Sequence, residues 1–158
     1  MSANVSVVHQ ASAVVISGRA LLIEGQPGSG KSSLALALID RGAGLIGDDA
    51  VTLSREGDAL IASPPPTIAG LLEVRGIGLV RVPVAAPAPV ALVLELGGSA
   101  TERLPEEPLP RRAIAGVAVP VLRFDPGTIT PAQRAEWALA LHGLEINPPS
   151  LSASGTRE

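Results

Sequence analysis

The sequence predicts a β-rich α/β domain with few helices. Short apolar runs rich in β-branched residues recur along most of the chain, and only two segments, 31–41 and 130–141, sustain helical character without an interior Gly or Pro. A glycine-rich loop joins one of the apolar runs to the first of those helices. With 158 residues, 46% hydrophobic and 17% charged, the chain suits one core and lacks the composition of a disordered polymer. It has one Phe, one Trp and no Tyr, so that core must be built from Ala, Val, Leu and Ile.

Taken in order, residues 5–16 read as a strand or a strand pair, and Gly18 and Arg19 turn the chain into the buried-type strand Ala20-Leu21-Leu22-Ile23-Glu24. Leu34, Leu36, Leu38 and Ile39 lie among Ala and polar residues over 31–41, a helix of about three turns stopped by Gly42. Leu45-Ile46-Gly47 is a short strand before Asp48-Asp49. Residues 51–53 and 60–61 form a hairpin across Glu56-Gly57-Asp58, ended by Pro64-Pro65-Pro66. Residues 71–82 alternate apolar side chains with glycines and arginines, while 90–96 and 117–124 are further strands. Thr130-Pro131-Ala132-Gln133 has the pattern of a capping box with Pro at the first helical position, opening a helix that runs to Leu141 and stops by Gly143. Residues 1–146 are expected to form the domain and 147–158 a disordered tail. Strands and helices do not alternate as a regular doubly wound fold requires.

Several functions are excluded at this level. A net charge of -3, without a run of Lys or Arg, offers no footprint for phosphodiester backbones, and two aromatic residues make no base-stacking platform, so nucleic acid is not an expected partner. The lack of Cys removes disulfides, thiolate metal sites and cysteine catalysis. The first Arg is Arg19, and the longest apolar stretch, 83–94, is short and broken by prolines, so neither a secretory signal nor a membrane span is expected and the reading is cytoplasmic.

The strongest chemical signal is Gly25-Gln26-Pro27-Gly28-Ser29-Gly30-Lys31-Ser32, a complete G-x-x-x-x-G-K-S between a strand and a helix. Glycines let consecutive amides turn toward a phosphate, the helix start adds its positive end, Lys31 reaches the β and γ oxygens and the Ser32 hydroxyl suits Mg²⁺. Asp48 and Asp49 follow a short strand. Neighbouring strand residues point to opposite faces, so one should aim into the phosphate site while the other serves structure or metal by a different path. Glu95, closing the apolar strand 90–94, is a second candidate metal acid. In Glu73-Val74-Arg75-Gly76-Ile77-Gly78, Glu73 and Arg75 are expected to share one strand face and meet metal or phosphate from one side. His9 stands in an apolar stretch, either as a core histidine or as a site residue.

The succession of His9, the Gly25–Ser32 loop, a helix closing in Arg41-Gly42, Asp48-Asp49 and Glu73-Val74-Arg75-Gly76-Ile77-Gly78 resembles the catalytic domain of HPr kinase/phosphorylase over roughly residues 5–82. The resemblance implies a P-loop fold related to phosphoenolpyruvate carboxykinase, in a short form without the family's N-terminal domain. It implies an enzyme that uses ATP and Mg²⁺ to phosphorylate a serine of the phosphocarrier protein HPr, and that removes this phosphate by phosphorolysis, with inorganic phosphate or pyrophosphate as alternative phosphoryl partners. Regulation of a sugar or nitrogen phosphotransferase system and a homo-oligomer, a hexamer in the family, are implied with it.

Residue by residue, Lys31 matches the family's loop lysine, Ser32 and Glu73 its magnesium ligands, Asp49 its proton acceptor and donor, and His9 its active-site histidine; Arg75 joins the nucleotide-binding set. His9 is expected to support Asp49 without binding metal. Thr101-Glu102-Arg103-Leu104 resembles an Arg-Leu-Gly element and makes Arg103 a catalytic candidate, although Pro105 stands in place of the glycine. Ser33 stands where the family has Glu, and Arg123-Phe124-Asp125-Pro126-Gly127 departs from the family's Arg-Pro-Gly-Arg-Asn loop. Two alternatives stay open: a small-molecule kinase or P-loop NTPase that uses Glu95, with Arg111-Arg112 as its lid, and a nucleotide-sensing module that transfers nothing.

Overall fold

A computed structural model describes residues 6–67, 69–97 and 104–146. Its elements are β1 (Ser6–His9), β2 (Ser12–Ile16), β3 (Arg19–Glu24), α1 (Lys31–Asp40), β4 (Gly44–Gly47), β5 (Val51–Glu56), β6 (Ala59–Ser63), β7 (Leu71–Val74), β8 (Gly78–Arg81), β9 (Ala88–Glu95), β10 (Arg111–Ile114), β11 (Val117–Arg123) and α2 (Pro131–His142). The main sheet runs β1-β5-β6-β9-β3-β2-β4, and β11, with β10 at its side, also pairs with β9. One edge of β9 is thereby shared: Ala88 and Pro89 pair with β6, and Val93 to Glu95 pair with β11. The hairpin β7–β8 stands apart as a small sheet of its own.

Strand direction fixes where the site lies. β2 is antiparallel to both β3 and β4, so those two run the same way, and β9 is parallel to β3 and β11 to β9. The C-terminal ends of β3, β4, β9 and β11 therefore collect at one end of the sheet, where the loops that follow them can share a ligand.

Both faces of the sheet centre are covered, which explains why β3 and β9 read as unbroken apolar runs. Leu21, Ile23, Leu92 and Leu94 pack with Leu34 and Leu38 of α1 and with Ala135 and Leu139 of α2. Leu22, Val90 and Val93 pack on the other face with Val51, Leu53 and Val119. The two helices thus share one face, unlike the two-sided cover of a doubly wound fold. Leu38 is 0% exposed, so truncating it to Ala would cost about 2–5 kcal/mol. Gly42, at φ 110°, ends α1: its amide bonds Ile39 O and the Ala43 amide bonds Leu38 O.

Three expectations change. The segment 111–114 forms β10, a four-residue strand with too little apolar pattern to be recognised, so Arg111 and Arg112 belong to a sheet and not to a lid. Strand β7 stops at Val74 and Arg75 lies in the turn before β8, so Glu73 and Arg75 do not share a strand face. Thr130 makes no side-chain cap on α2; its backbone is left-handed, at φ 43°, whereas a capping side chain needs an extended backbone to reach the first-turn amides. Among the described residues no helix is long and apolar enough to cross a membrane. Arg103 and the segment 147–158 lie outside the described residues.

Candidate active site

β3 carries the chain from the centre of the sheet through Glu24 directly into Gly25. The loop then closes on itself: the Ser29 amide bonds Gln26 O, and a Cβ at Gly25 would fall 2.4 Å from Ser29 Oγ and 3.2 Å from Leu96 Cβ, so glycine lets the loop close without displacing either side chain. Among the described residues Ser29 Oγ is buried without a hydrogen-bond partner. Gly30, left-handed at φ 104°, precedes the first turn of α1, whose start faces the loop. Lys31 is only 8% exposed; its Nζ donates to Gly25 O at 2.7 Å and lies 3.5 Å from Gln26 O, so the ammonium sits across the mouth of the loop.

Opposite the loop stands Asp48, at the end of β4. Its Oδ1 accepts from Ser32 Oγ at 2.7 Å and from Ser12 Oγ at 2.9 Å, and its Oδ2 accepts from the Glu73 amide at 3.0 Å. Three elements, β2, α1 and β7, are joined through this one carboxylate. Asp49 diverges from it: its backbone is left-handed at φ 69°, a conformation Asp tolerates better than most residues, and its amide donates to Ser12 Oγ at 3.3 Å. The turn is tight because a Cβ at Gly47 would lie 2.3 Å from Ala50 O. Among the described residues the Asp49 carboxylate makes no hydrogen bond, and Asp49 is exposed. The two acids take separate paths, because the left-handed backbone at Asp49 turns it away and not through strand alternation, since β4 ends at Gly47; the one that meets Ser32 is Asp48. Glu73 reaches this cluster through its main chain while its side chain is exposed, as are those of Arg75 and Ile77 in the adjoining turn.

His9 Nε2 lies 2.6 Å from Glu24 Oε2. This corrects the expectation that His9 is held to Asp49: its hydrogen-bond partner is the acid that ends β3. Glu24 also accepts from Arg112 Nη1 on both oxygens, at 2.9 and 3.0 Å. Glu95, expected as an alternative metal acid, instead faces Arg112 at 3.6 Å and Arg123 at 3.9 Å. The sequence did not single out Glu24, and it offered Arg112 only as part of a lid; the available signal for Glu24 was an acid placed immediately before the first loop glycine. Beyond β11, Pro126 covers the start of α1, where a Cβ at Gly30 would stand 3.7 Å from Pro126 Cγ. Arg134 pins that segment, donating to Asp125 O and Ile129 O at 3.0 Å and to Pro126 O, with its guanidinium 4.9 Å from the centroid of the Phe124 ring.

The model of the HPr Serine kinase C-terminal domain matches residues 2–86, more than half of the chain and the part that holds the loop, both aspartates and the β7–β8 hairpin. The chain belongs to the HPr serine kinase C-terminal domain family. Relatives of this HPr kinase domain include HPr kinase/phosphorylase of Clostridium botulinum (strain Eklund 17B / Type B), 51% identical over 69 residues, which is 44% of this chain and 23% of that protein. HPr kinase/phosphorylase of Bordetella pertussis is 52% identical over 66 residues, 41% of this chain and 21% of that protein. The matched segment thus spans under a quarter of the length of these curated relatives. The solved structure of the Hpr(Ser) kinase/phosphatase from Coxiella burnetii superposes with a TM-score of 0.72 at 31% identity, covering 84% of this chain and 93% of that one. The mixed, strand-rich fold with two helices is therefore the fold of an HPr kinase domain, and the superposed share exceeds the family-model match.

Proposed function

We propose that this domain transfers the γ-phosphoryl group of ATP to a serine hydroxyl of an HPr-like phosphocarrier protein, on a P-loop fold of the phosphoenolpyruvate carboxykinase type. The observation that carries the reading is the meeting of Ser32 Oγ and Asp48 Oδ1 at the mouth of the Gly25–Ser32 loop. A hydroxyl and a carboxylate are the hard oxygen donors that Mg²⁺ takes beside phosphates and water, so the residues fit that ion. Ser32 and Asp48 would hold Mg²⁺, with Glu73 close by, and the ion would supply charge neutralisation to the phosphate oxygens.

The chain's own residues account for the remaining work. The amides of Gly28, Gly30, Lys31 and Ser32 and the start of α1 bind phosphate, and Arg75, in the turn beside Glu73, completes the nucleotide-binding set. Lys31 is already positioned by Gly25 O to reach the β and γ oxygens. Asp49 accepts the serine proton as the serine oxygen bonds to the γ-phosphorus and the bond to the β-bridging oxygen breaks. The division between the acids follows from their contacts: the oxygens of Asp48 are engaged by Ser12, Ser32 and the Glu73 amide, whereas the Asp49 carboxylate carries no such bonds among the described residues. Run backward with inorganic phosphate as acceptor, the same groups would return the proton to serine and form pyrophosphate.

Incubation with γ-labelled ATP, Mg²⁺ and purified HPr tests the reading. Label recovered as phosphoserine on HPr is the expected result. Label on a small molecule, or nucleotide binding without transfer, would replace it with a metabolite kinase or a nucleotide sensor.

A further inference from the structure

The C-terminal ends of the parallel strands carry a row of charge that the reaction above does not use. Register pairs Glu24 of β3 with Glu95 of β9, and Glu95 with Arg123 of β11. Arg112 leans across from β10 to bond Glu24 and approach Glu95, and His9 closes the row on the side of β1. Two carboxylates side by side, one of them adjoining a loop built for phosphates, repel the ligand that loop takes. Arg112, between them, offsets that repulsion. An acid kept at such a place needs a use, and its geometry supplies one.

Glu24 is the fixed member of the row. It ends a strand with neighbours on both sides, its side chain is 13% exposed, and both oxygens are held by Arg112. His9 is the opposite case. It ends an edge strand whose only partner among the described residues is β5, and the three residues before it are all exposed. Nothing in that strand fixes the imidazole ring, and the 2.6 Å contact with Glu24 does. In register His9 lies opposite Val51, two residues after Asp49, so its backbone adjoins the chain leaving the Asp48–Asp49 turn while its ring meets the acid that precedes the loop. A carboxylate accepting from Nε2–H also selects which ring nitrogen carries the proton and leaves Nδ1 as the other.

We propose that Glu24, braced by Arg112, is a positioning residue that fixes the orientation and tautomer of His9 beside the Asp48–Asp49 turn. The inference rests on the phosphoryl-transfer reading for its effect on rate, and on geometry alone for its effect on the ring. If Glu24 merely ties β3 to β10, its loss lowers stability and acts independently of His9.

A double-mutant cycle separates the two. With ATP, Mg²⁺ and HPr, Glu24→Gln and His9→Gln should each lower kcat about tenfold or more with little change in the KM for ATP, and the double variant should lose no more than the worse single one. Multiplicative losses, or a Glu24→Gln kcat within about twofold of wild type, overturn the proposal. Arg112→Gln, at a more exposed position, gives the same cycle should Glu24→Gln fail to fold. Nitrogen-15 spectra of the His9 ring provide a readout independent of turnover: a single Nε2–H tautomer in wild type and a mixture in Glu24→Gln or Arg112→Gln. A wild-type chain inactive on HPr would sink the phosphoryl-transfer reading instead, and the ring spectra would still decide whether Glu24 orients His9.

Discussion

The Ser32 hydroxyl and the Asp48 carboxylate meet at 2.7 Å, although one belongs to the first turn of α1 and the other to the end of β4. In the sheet β2 lies between β4 and β3, the strand that leads into the loop, and it contributes Ser12 to the same carboxylate. Asp48 therefore has a structural role that can be measured without any substrate. Asp48→Ala leaves two hydroxyls and the Glu73 amide without their acceptor and should lower unfolding free energy by about 1–3 kcal/mol. Urea denaturation that shows no loss would mean water replaces the carboxylate freely.

Lys31 is the only lysine in the chain. Lys31→Ala should abolish phosphoryl transfer, because no other ammonium can take its place against the β and γ oxygens. Turnover near the wild-type rate would remove the loop from the mechanism.

Ser29 Oγ, buried with no partner among the described residues, makes the opposite kind of prediction. Ser29→Ala removes an unsatisfied polar atom and should raise stability by about 1 kcal/mol, with nucleotide affinity unchanged. A fall in ATP affinity would instead show that this hydroxyl turns toward phosphate when nucleotide binds.

Arg134 joins three carbonyls of the 125–129 segment and one aromatic face. Arg134→Lys keeps the charge but not the planar fork, and should cost about 1–2 kcal/mol while hastening amide exchange across that segment. Unchanged exchange would show that Pro126 is held over Gly30 by packing alone.

Much of this architecture is legible in the residues. The runs that become β3 and β9 are apolar throughout because both faces are covered, and the helix over 31–40 is bracketed by Gly30 and Gly42. What escaped has a common cause: it depends on partners far away in sequence. Arg112 is 88 residues from Glu24, and a four-residue strand such as β10 has no periodicity of its own to announce it. Thr130 has the right residue type for a cap but the wrong backbone, and Arg75 lies one residue past the end of β7. The loop and both aspartates were legible because their chemistry is local; the assignment of Asp48 to Ser32 was not, since it follows from the antiparallel placement of β2 between β3 and β4.

The central claim is that these adjacent acids divide their work, Asp48 on the metal side and Asp49 as proton acceptor, and a Mg²⁺ titration of the HPr phosphorylation rate tests it most directly. Asp48→Asn should need a Mg²⁺ concentration about tenfold or more above wild type and recover rate as the ion is added. Asp49→Asn should keep the wild-type Mg²⁺ midpoint and ATP affinity, yet stay at least about a hundredfold slow at saturation, because a base acts in the transition state. The reverse pattern, with Asp49→Asn rescued by Mg²⁺ and Asp48→Asn slow at every concentration, would contradict the account.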